Sequence, residues 1–272
     1  MIAANLLIKP GQKVLDIGSG WGGLSLYLTK HYDCEVTGLT LSKEQLSYAA
    51  PKAKDAGLAN KTHYHLRDYR KQTGKFDRIV SVGIFEHVGI GHFDEYFGQV
   101  STSPNEQGIA LLHTIGRSDG PGITNPWIQK YIFPGGYIPA LSEFVQSIER
   151  SGLIITDIEV LRLYYAKTAR HWRERFMSNW NKAAELYDER FCRMWEFYFA
   201  ASVASFHHMD NVVFQIQLAK HHDSVPFVRD YLIAQGQEHG REEGQKSKRQ
   251  YETMDNSKAA KKVFFYCARR SQ

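Results

Sequence analysis

The chain has 272 residues, of which 43% are hydrophobic, and this is enough to bury one large α/β core. The sequence contains no run of about 18 apolar residues, which excludes a membrane-spanning helix within it. A formal net charge of +5 permits attraction to an anionic surface but requires no nucleic acid, and we expect no nucleic-acid partner. The three cysteines, Cys34, Cys192 and Cys267, are scattered and odd in number, which indicates a reducing cytosol rather than a disulfide framework.

The first half of the chain alternates segments typical of strands and helices. Helices are predicted at 24–30 and from Ser42 onward, where Gln45 follows Ser42 at the spacing of a capping box. Five strands are predicted from short apolar runs at 14–17, 35–39, 63–66, 78–82 and 109–114. Alternating βα units of this length predict a doubly wound, mostly parallel sheet that binds its ligand at the carboxyl ends of the strands.

The second half changes character after Gly116. Residues 117–140 hold many of the prolines and glycines, interleaved with aromatic residues, and predict a structured loop. The remaining pattern predicts a helix at 141–151, a strand at 153–163, a helical segment at 167–208 and a strand at 212–219. The two halves together predict a Rossmann-like α/β fold with a seven-stranded sheet and a helical insertion before the last strand.

The glycine turn at 18–23 follows the first strand and is the strongest binding signal. Asp16 lies near the end of that strand, and Gly18 and Gly20 lack the Cβ atoms that would keep a ligand off the backbone. The dinucleotide pattern is met only as Gly18, Gly20 and Gly23, and no Walker lysine is present. S-adenosylmethionine, which carries an ammonium and a sulfonium but no phosphate, suits an acidic residue before such a turn. An ordinary tight βα turn is the alternative.

Further candidate ligand contacts follow the second and third strands. The second strand ends at Thr40 without a carboxylate, so Thr40 and Gln45 are the candidate partners for the ribose hydroxyls. Asp68 follows the third strand, where it can accept from the exocyclic amine of an adenine. Tyr69 or Trp21 can cover a face of that ring. The alternative is that these are surface loop residues.

Six segments in order, between about residue 3 and about residue 232, together resemble the cyclopropane fatty acid synthase and mycolic acid synthase family. They read LDIGSGWGG, GLTLSKEQ, FDRIVSVGIFEHVG, YIFPGGYIP, YYAKTARHWRERF and YDERFCRMWEFYFAAS. The resemblance implies a class I methyltransferase that uses S-adenosylmethionine as its cofactor. It also implies methyl transfer to the cis double bond of an unsaturated phospholipid acyl chain, which gives a cyclopropane fatty acid.

The resemblance implies that Tyr198 is the catalytic tyrosine. Glu86 and His87 follow the fourth strand, so we expect both at its carboxyl edge near the reactive methyl. A carboxylate there can balance a sulfonium or orient a base, and a helix cap is the alternative reading of this pair. Addition of a methyl to an alkene leaves a carbocation, which the aromatic faces that crowd the second half can stabilise.

The resemblance also implies a bound bicarbonate that removes the proton at ring closure, held by a cysteine, a glutamate, a histidine and a tyrosine. That cysteine belongs to a Tyr-Ser-Cys-Ala-like motif upstream of the glycine turn, and this sequence starts just before the turn, so we expect an N-terminally shortened copy. Tyr164-Tyr165-Ala166 stands where related members often read His-Tyr-Ala, and His171 is the candidate replacement. Two alternatives are a non-catalytic copy that binds S-adenosylmethionine or lipid, and a C-methyltransferase for another hydrophobic acceptor.

We expect one methyltransferase domain over 1–235, with a cofactor-binding half at 1–116 and an acyl-substrate half at 117–235. The polar segment 236–272 is predicted to be a disordered tail. A lipid substrate implies a cytoplasmic protein in peripheral contact with the anionic inner face of the membrane, and a homodimer is a further expectation. No metal is expected, because His207-His208 and His221-His222 are adjacent pairs whose side chains point apart. The candidate membrane contacts are the arginines 170, 173, 175, 190 and 193.

Overall fold

Residues 1–232 are described here from a computed structural model. The strands are β1 (Lys13–Ile17), β2 (Glu35–Thr40), β3 (Thr62–Leu66), β4 (Phe76–Val82), β5 (Pro104–Arg117), β6 (Ile154–Leu161) and β7 (Asn211–Ala219). The helices are α1 (Ile2–Leu6), α2 (Gly23–Tyr32), α3 (Lys43–Asp55), α4 (Phe93–Thr102), α5 (Pro126–Tyr131), α6 (Leu141–Arg150), α7 (Tyr164–Ser178), α8 (Trp180–Leu186) and α9 (Glu189–His208). The predicted tail at 236–272, with Cys267, lies outside the described residues.

The seven strands form one sheet in the order β3-β2-β1-β4-β5-β7-β6. Strands β1 to β5 pair in parallel, whereas β7 runs antiparallel to both β5 and β6. The predicted doubly wound, mostly parallel sheet is therefore confirmed. Strand order reverses outward from β1 and β4, and a crevice for a ligand opens at the carboxyl ends of strands at such a switch point.

Two apolar layers cover the sheet. One contains a cluster of rings contributed by the segment after β4 and by α4 and α6, in which Phe85 stacks on Phe93 with ring centroids 4.7 Å apart. The other places α1 and α2 against the opposite face, where Leu6 and Leu28 are fully buried beside Val80. Both faces of β1 are covered, which explains why Val14 on one face and Leu15 and Ile17 on the other are all apolar.

The helical insertion lies between β6 and β7, as expected, but it is not one continuous helical segment. α7 begins at Tyr164, so β6 ends at Leu161, earlier than the predicted 153–163. The helix breaks at Asn179 and again before Asp188, whose carboxylate accepts from the backbone N–H of Phe191 and starts α9. An Asp at that position satisfies a free N–H at a helix start, which favours a new helix over continuation of the old one.

The predicted loop at 117–140 contains one short helix. Asn125 accepts from the backbone of Trp127 and Ile128, and Pro126 occupies the first helical position, where a missing N–H costs nothing. β5 is longer than the predicted 109–114, because its antiparallel pairing with β7 continues to Arg117 opposite Asn211. The loop therefore starts at the carboxyl edge of the sheet and runs from there to α6.

Candidate functional site

The glycine turn between β1 and α2 is fixed to the end of β2 by main-chain hydrogen bonds. The backbone N–H groups of Gly18 and Ser19 both donate to the carbonyl oxygen of Leu39, at 3.0 and 2.8 Å. Gly18 and Gly20 have φ values of +81° and +55°, a left-handed conformation that favours glycine. A Cβ on Gly18 would lie 3.0 Å from the Cβ of Ile84, so the turn packs closely against the segment that follows β4.

Tyr64 supports the turn from below, a role that no sequence motif indicated. Its hydroxyl donates to the carbonyl oxygen of Gly22 at 2.8 Å, and burial raises its pKa. A Cβ on Gly22 would collide with this hydroxyl, and a Cβ on Gly38 would lie 2.7 Å from the Tyr64 ring. The Tyr64 ring therefore fills the space left by the missing side chains of Gly22 in the turn and Gly38 on β2.

Asp16 is buried at the end of β1, with 2% of its surface exposed. The hydroxyl of Ser25, in the first turn of α2, donates to Asp16 Oδ2 at 2.6 Å. Burial raises the pKa of Asp16 from 3.8 to about 6, although the Ser25 hydrogen bond opposes that change. A cationic group bound nearby would favour the ionised form, so this end of the turn suits a positively charged ligand.

Thr40 and Gln45 are joined where β2 leads into α3. The Thr40 hydroxyl donates to Gln45 Oε1 at 2.6 Å, and it also accepts from the backbone N–H of Ser42 at 3.1 Å. Ser42 caps α3 as expected, accepting from the backbone N–H of Gln45, but the Gln45 side chain bonds to Thr40 instead of completing the box. A Cβ on Gly20 would lie 4.0 Å from Gln45 Nε2, so Gln45 extends to the glycine turn.

Asp68, Tyr69 and Trp21 are each engaged by protein neighbours. Asp68 forms an ion pair with Arg70, 2.6 Å between Oδ2 and Nη2, and the hydrogen bond from Arg70 is the main reason that the pKa of Asp68 is lowered. The half-buried Tyr69 ring meets Tyr96 edge-on at 5.4 Å, and burial raises its pKa to about 12. Trp21 meets the ring of Tyr48 edge-on at 5.3 Å. The three side chains are therefore held in place by their protein neighbours.

Glu86 is a buried carboxyl group in the short 3-10 helix Phe85–His87 that follows β4. Its Oε1 accepts from the backbone N–H of Ile115 on β5 at 2.6 Å, whereas its Oε2 is buried and has no hydrogen-bond partner in the described chain. Burial raises the pKa of this carboxyl group, although the backbone of Glu86 and Ile115 and the Thr114 hydroxyl oppose that rise. The Oε1 hydrogen bond therefore joins this short helix to β5. The unpaired oxygen is available to accept from a bound donor.

The loop after α5 brings His87 and Tyr198 to the same place. The backbone N–H of Tyr137 donates to the carbonyl oxygen of Glu86 at 2.8 Å, which fixes the loop against this segment. The Phe133 ring meets the exposed His87 ring at 6.0 Å and the buried Tyr198 ring at 5.8 Å, both edge-on. Sequence analysis identified this loop but not Phe133 as the ring between the two candidates.

Two further residues are linked to the Ile115 segment of β5 and were missed as site candidates from the sequence. Tyr165, at the start of α7, packs against the same apolar cluster as Ile115, whose backbone N–H binds Glu86. His113 lies two residues before Ile115 on β5 and therefore on the same face of the sheet. By contrast, the candidate replacement His171 has an exposed side chain that pairs with Glu174 at 3.1 Å, so it does not lie in this buried cluster.

Residues 1–216 match the family model described as mycolic acid cyclopropane synthetase. The chain belongs to this family. It is 40% identical over 220 residues to the cyclopropane-fatty-acyl-phospholipid synthase of Escherichia coli strain K12, an alignment that covers 81% of the chain and 56% of that enzyme. The chain thus spans about half the length of this curated relative. The family resemblance drawn from the six sequence segments is confirmed.

Solved structures of this family share the fold. The cyclopropane synthase MmaA2 from Mycobacterium tuberculosis superposes with a TM-score of 0.76 and 28% identity, covering 80% of the chain and 81% of that protein. The mycolic acid cyclopropane synthase CmaA1, complexed with SAH and CTAB, superposes with a TM-score of 0.74 and 27% identity over the same shares. The predicted Rossmann-like methyltransferase fold is therefore confirmed.

We expect Gly22→Ala to lower the free energy of unfolding by more than the cost of its left-handed backbone conformation, because the added Cβ would collide with Tyr64. Gly11 has the same φ of +78° but open space where a Cβ would stand, so Gly11→Ala measures the conformational cost alone. That cost is about 1–2 kcal/mol, and Gly22→Ala should exceed it by at least about 1 kcal/mol. Urea denaturation of both variants measures the difference, and equal losses would contradict the assigned contact.

Asp16 should make this family member less stable as the pH rises from about 4 to about 6. The folded state keeps the Asp16 proton to a higher pH than the unfolded state, so the free energy of unfolding falls across that window. The difference between 3.8 and about 6 corresponds to about 3 kcal/mol. Denaturation at pH 4 to 7 should show this loss in the wild type and in the exposed control Asp55→Asn, but not in Asp16→Asn. A parallel slope in Asp16→Asn would refute the assignment.

Proposed function

We propose that the chain transfers the methyl group of S-adenosylmethionine to the double bond of an unsaturated phospholipid acyl chain, forming a cyclopropane fatty acid. The observation that carries the proposal is the pair of buried carboxyl groups at adjacent strand ends. Asp16 lies below the glycine turn, and Glu86, with one unpaired oxygen, follows the strand next to it. The names of the E. coli relative and of the CmaA1 complex with SAH support this reading.

The residues at the turn fit S-adenosylmethionine. Gly18 and Gly20 leave the backbone open to a ligand, and the carboxylate of Asp16 would bind an ammonium group. Thr40 and Gln45 offer neutral oxygens and an amide for ribose hydroxyls. The adenine would lie among Asp68, Tyr69 and Trp21. When bound, the cofactor supplies an electrophilic methyl group on a sulfonium.

The acyl chain would lie against the aromatic loop and insertion. Phe133 and Tyr198 belong to an apolar cluster formed by the loop, α7, α8 and α9, which excludes water from the alkene and the methyl donor. Their ring faces would stabilise positive charge that develops on the acyl carbon. Glu86 adds a buried negative charge or a proton acceptor at the strand end, and His87 lies at the exposed side of Phe133.

Bicarbonate fits the unpaired oxygen of Glu86. Its hydroxyl can donate to a buried carboxylate oxygen, and when bound it supplies a base at the acyl carbon. We propose His113 and Tyr165 for the histidine and tyrosine roles that the family resemblance implies. His113 lies two residues before Ile115 on β5, and Tyr165 packs against the same apolar cluster as Ile115. Glu86 would orient this anion through its Oε2, while its Oε1 remains bound to β5.

The test is turnover with S-adenosylmethionine labelled in its methyl group and vesicles of a cis-unsaturated phospholipid, followed by mass spectrometry of the released fatty acids. Cyclopropane product is expected. Glu86→Gln should lower kcat by at least about 100-fold and leave the Kd for S-adenosylmethionine unchanged, because it removes a reacting group but not the turn. The exposed control Glu149→Gln should retain full turnover. A methylated or methylene product would favour a different C-methyltransferase, and binding without product would favour a non-catalytic copy.

Contact with an anionic membrane surface is part of the proposal. Within residues 1–232, no helix is both long and apolar enough to cross a bilayer. Two of the five candidate arginines are paired with acidic neighbours, Arg173 with Glu196 at 2.6 Å and Arg193 with Glu189 at 3.0 Å. We therefore assign the contact to the exposed residues Arg170, Arg175 and Arg190.

Vesicle flotation tests this contact. Each cation near an anionic surface contributes about 1 kcal/mol, so reversing the three arginines to Glu should abolish binding to anionic vesicles at physiological salt. The same charge change on the exposed residues of α2 and α3 should preserve binding; those control changes are Lys30→Glu, Lys43→Glu and Lys54→Glu. Equal loss in both triple variants would show that net charge, rather than this helical surface, controls association.

A further inference from the structure

We propose that Gln215 and Glu159 are positioning residues that hold His113 with its ring proton on Nδ1 and its Nε2 free to accept a proton or hydrogen bond. The orientation of His113 follows from contacts in this chain. Its catalytic consequence rests on the function proposed above, in which His113 belongs to the site of Glu86. We call the three residues the His113 relay.

The His113 relay is a row of side chains across three neighbouring strands. Gln215 on β7 lies directly opposite His113 on β5 and directly opposite Glu159 on β6 in the two antiparallel pairings. Gln215 Nε2 donates to Glu159 Oε2 at 3.0 Å, and Gln215 Oε1 lies 3.3 Å from His113 Nδ1. Gln215 is 2% exposed, so its amide is fixed between these two partners and has little access to water.

The direction of each hydrogen bond follows from the chemistry of Glu159. An ionised carboxylate only accepts, so it must face the amide nitrogen of Gln215. The amide oxygen is then turned toward His113, and an oxygen acceptor requires the proton on Nδ1. Burial lowers the pKa of His113, which favours the neutral ring with a single proton. The lone pair consequently lies on Nε2.

His113 lies on the strand end that also holds Glu86. Its Cα pairs with Val82 at the end of β4, and its carbonyl oxygen accepts from the backbone N–H of Gly83 at 3.0 Å. Two residues later, the N–H of Ile115 binds the Glu86 carboxylate. The strand thus connects the His113 relay, which starts at the partly exposed Glu159, to the buried carboxyl group of the proposed site. In the opposite tautomer Nε2 would carry the proton, so it could donate a hydrogen bond but could not accept one.

The relay is tested by the ring nitrogen signals of His113 in the full chain labelled with ¹⁵N-histidine, assigned by comparison with His113→Gln. The wild type should carry its proton on Nδ1. Glu159→Lys replaces an acceptor by a donor, so the Gln215 amide should turn and the His113 proton should move to Nε2. Val160→Lys, one residue along on the opposite face of the strand, should leave the His113 tautomer unchanged. Gln215→Leu removes the acceptor of the Nδ1 proton, so this variant should also lose the preference for a proton on Nδ1.

Turnover separates the relay from the proposed function. Glu159→Lys should lower kcat at least about tenfold while the KM for phospholipid and the Kd for S-adenosylmethionine stay within twofold of the wild type. A wild-type proton on Nε2, or a tautomer that Glu159→Lys leaves unchanged, would overturn the relay whatever the turnover. A tautomer that switches without any loss of kcat would overturn its positioning role. A wild type without turnover but with a switching tautomer would refute the proposed function and retain the relay.

Discussion

The burial of two carboxyl groups at the carboxyl edge of a parallel sheet is the constraint on which the rest of the site depends. Asp16 lies at the end of β1 and Glu86 follows the adjacent strand β4, and the surrounding core removes both from water. Ser25 and the backbone of Ile115 satisfy part of their hydrogen-bonding capacity. The capacity that is left can accept hydrogen bonds from a ligand or balance its positive charge. This restricts the ligands that can bind at this edge.

The second half of the chain supplies an apolar cover for that edge. The loop between β5 and α6 is fixed at Glu86 by the backbone of Tyr137, and its Phe133 ring touches His87 on one side and Tyr198 on the other. The loop therefore contacts both the strand end and the helical insertion. The proposed acyl site in the aromatic cluster is thus linked to the buried carboxyl group of Glu86 through this loop.

Local sequence patterns were sufficient to predict the sheet, the glycine turn and the place of the helical insertion, because strand periodicity and turn glycines act over a few residues. The contacts that organise the site are not local. Tyr64 binds Gly22 from 42 positions away, and Gln215 binds His113 across 102 positions. A single sequence holds no signal for such pairs. The break before Asp188 was missed although Asp is a common N-cap, since the surrounding aromatic pattern continues across it.

The hold of β2 on the glycine turn has a consequence for sequence change. The carbonyl oxygen of Leu39 accepts from two successive N–H groups and lies 3.3 Å from the Ser19 hydroxyl, so the grip is made by a main-chain atom. Any residue able to continue the strand can present that oxygen. The side chain at position 39 thus has to fit only the apolar interior. Substitutions there can change the packing while the turn keeps its conformation.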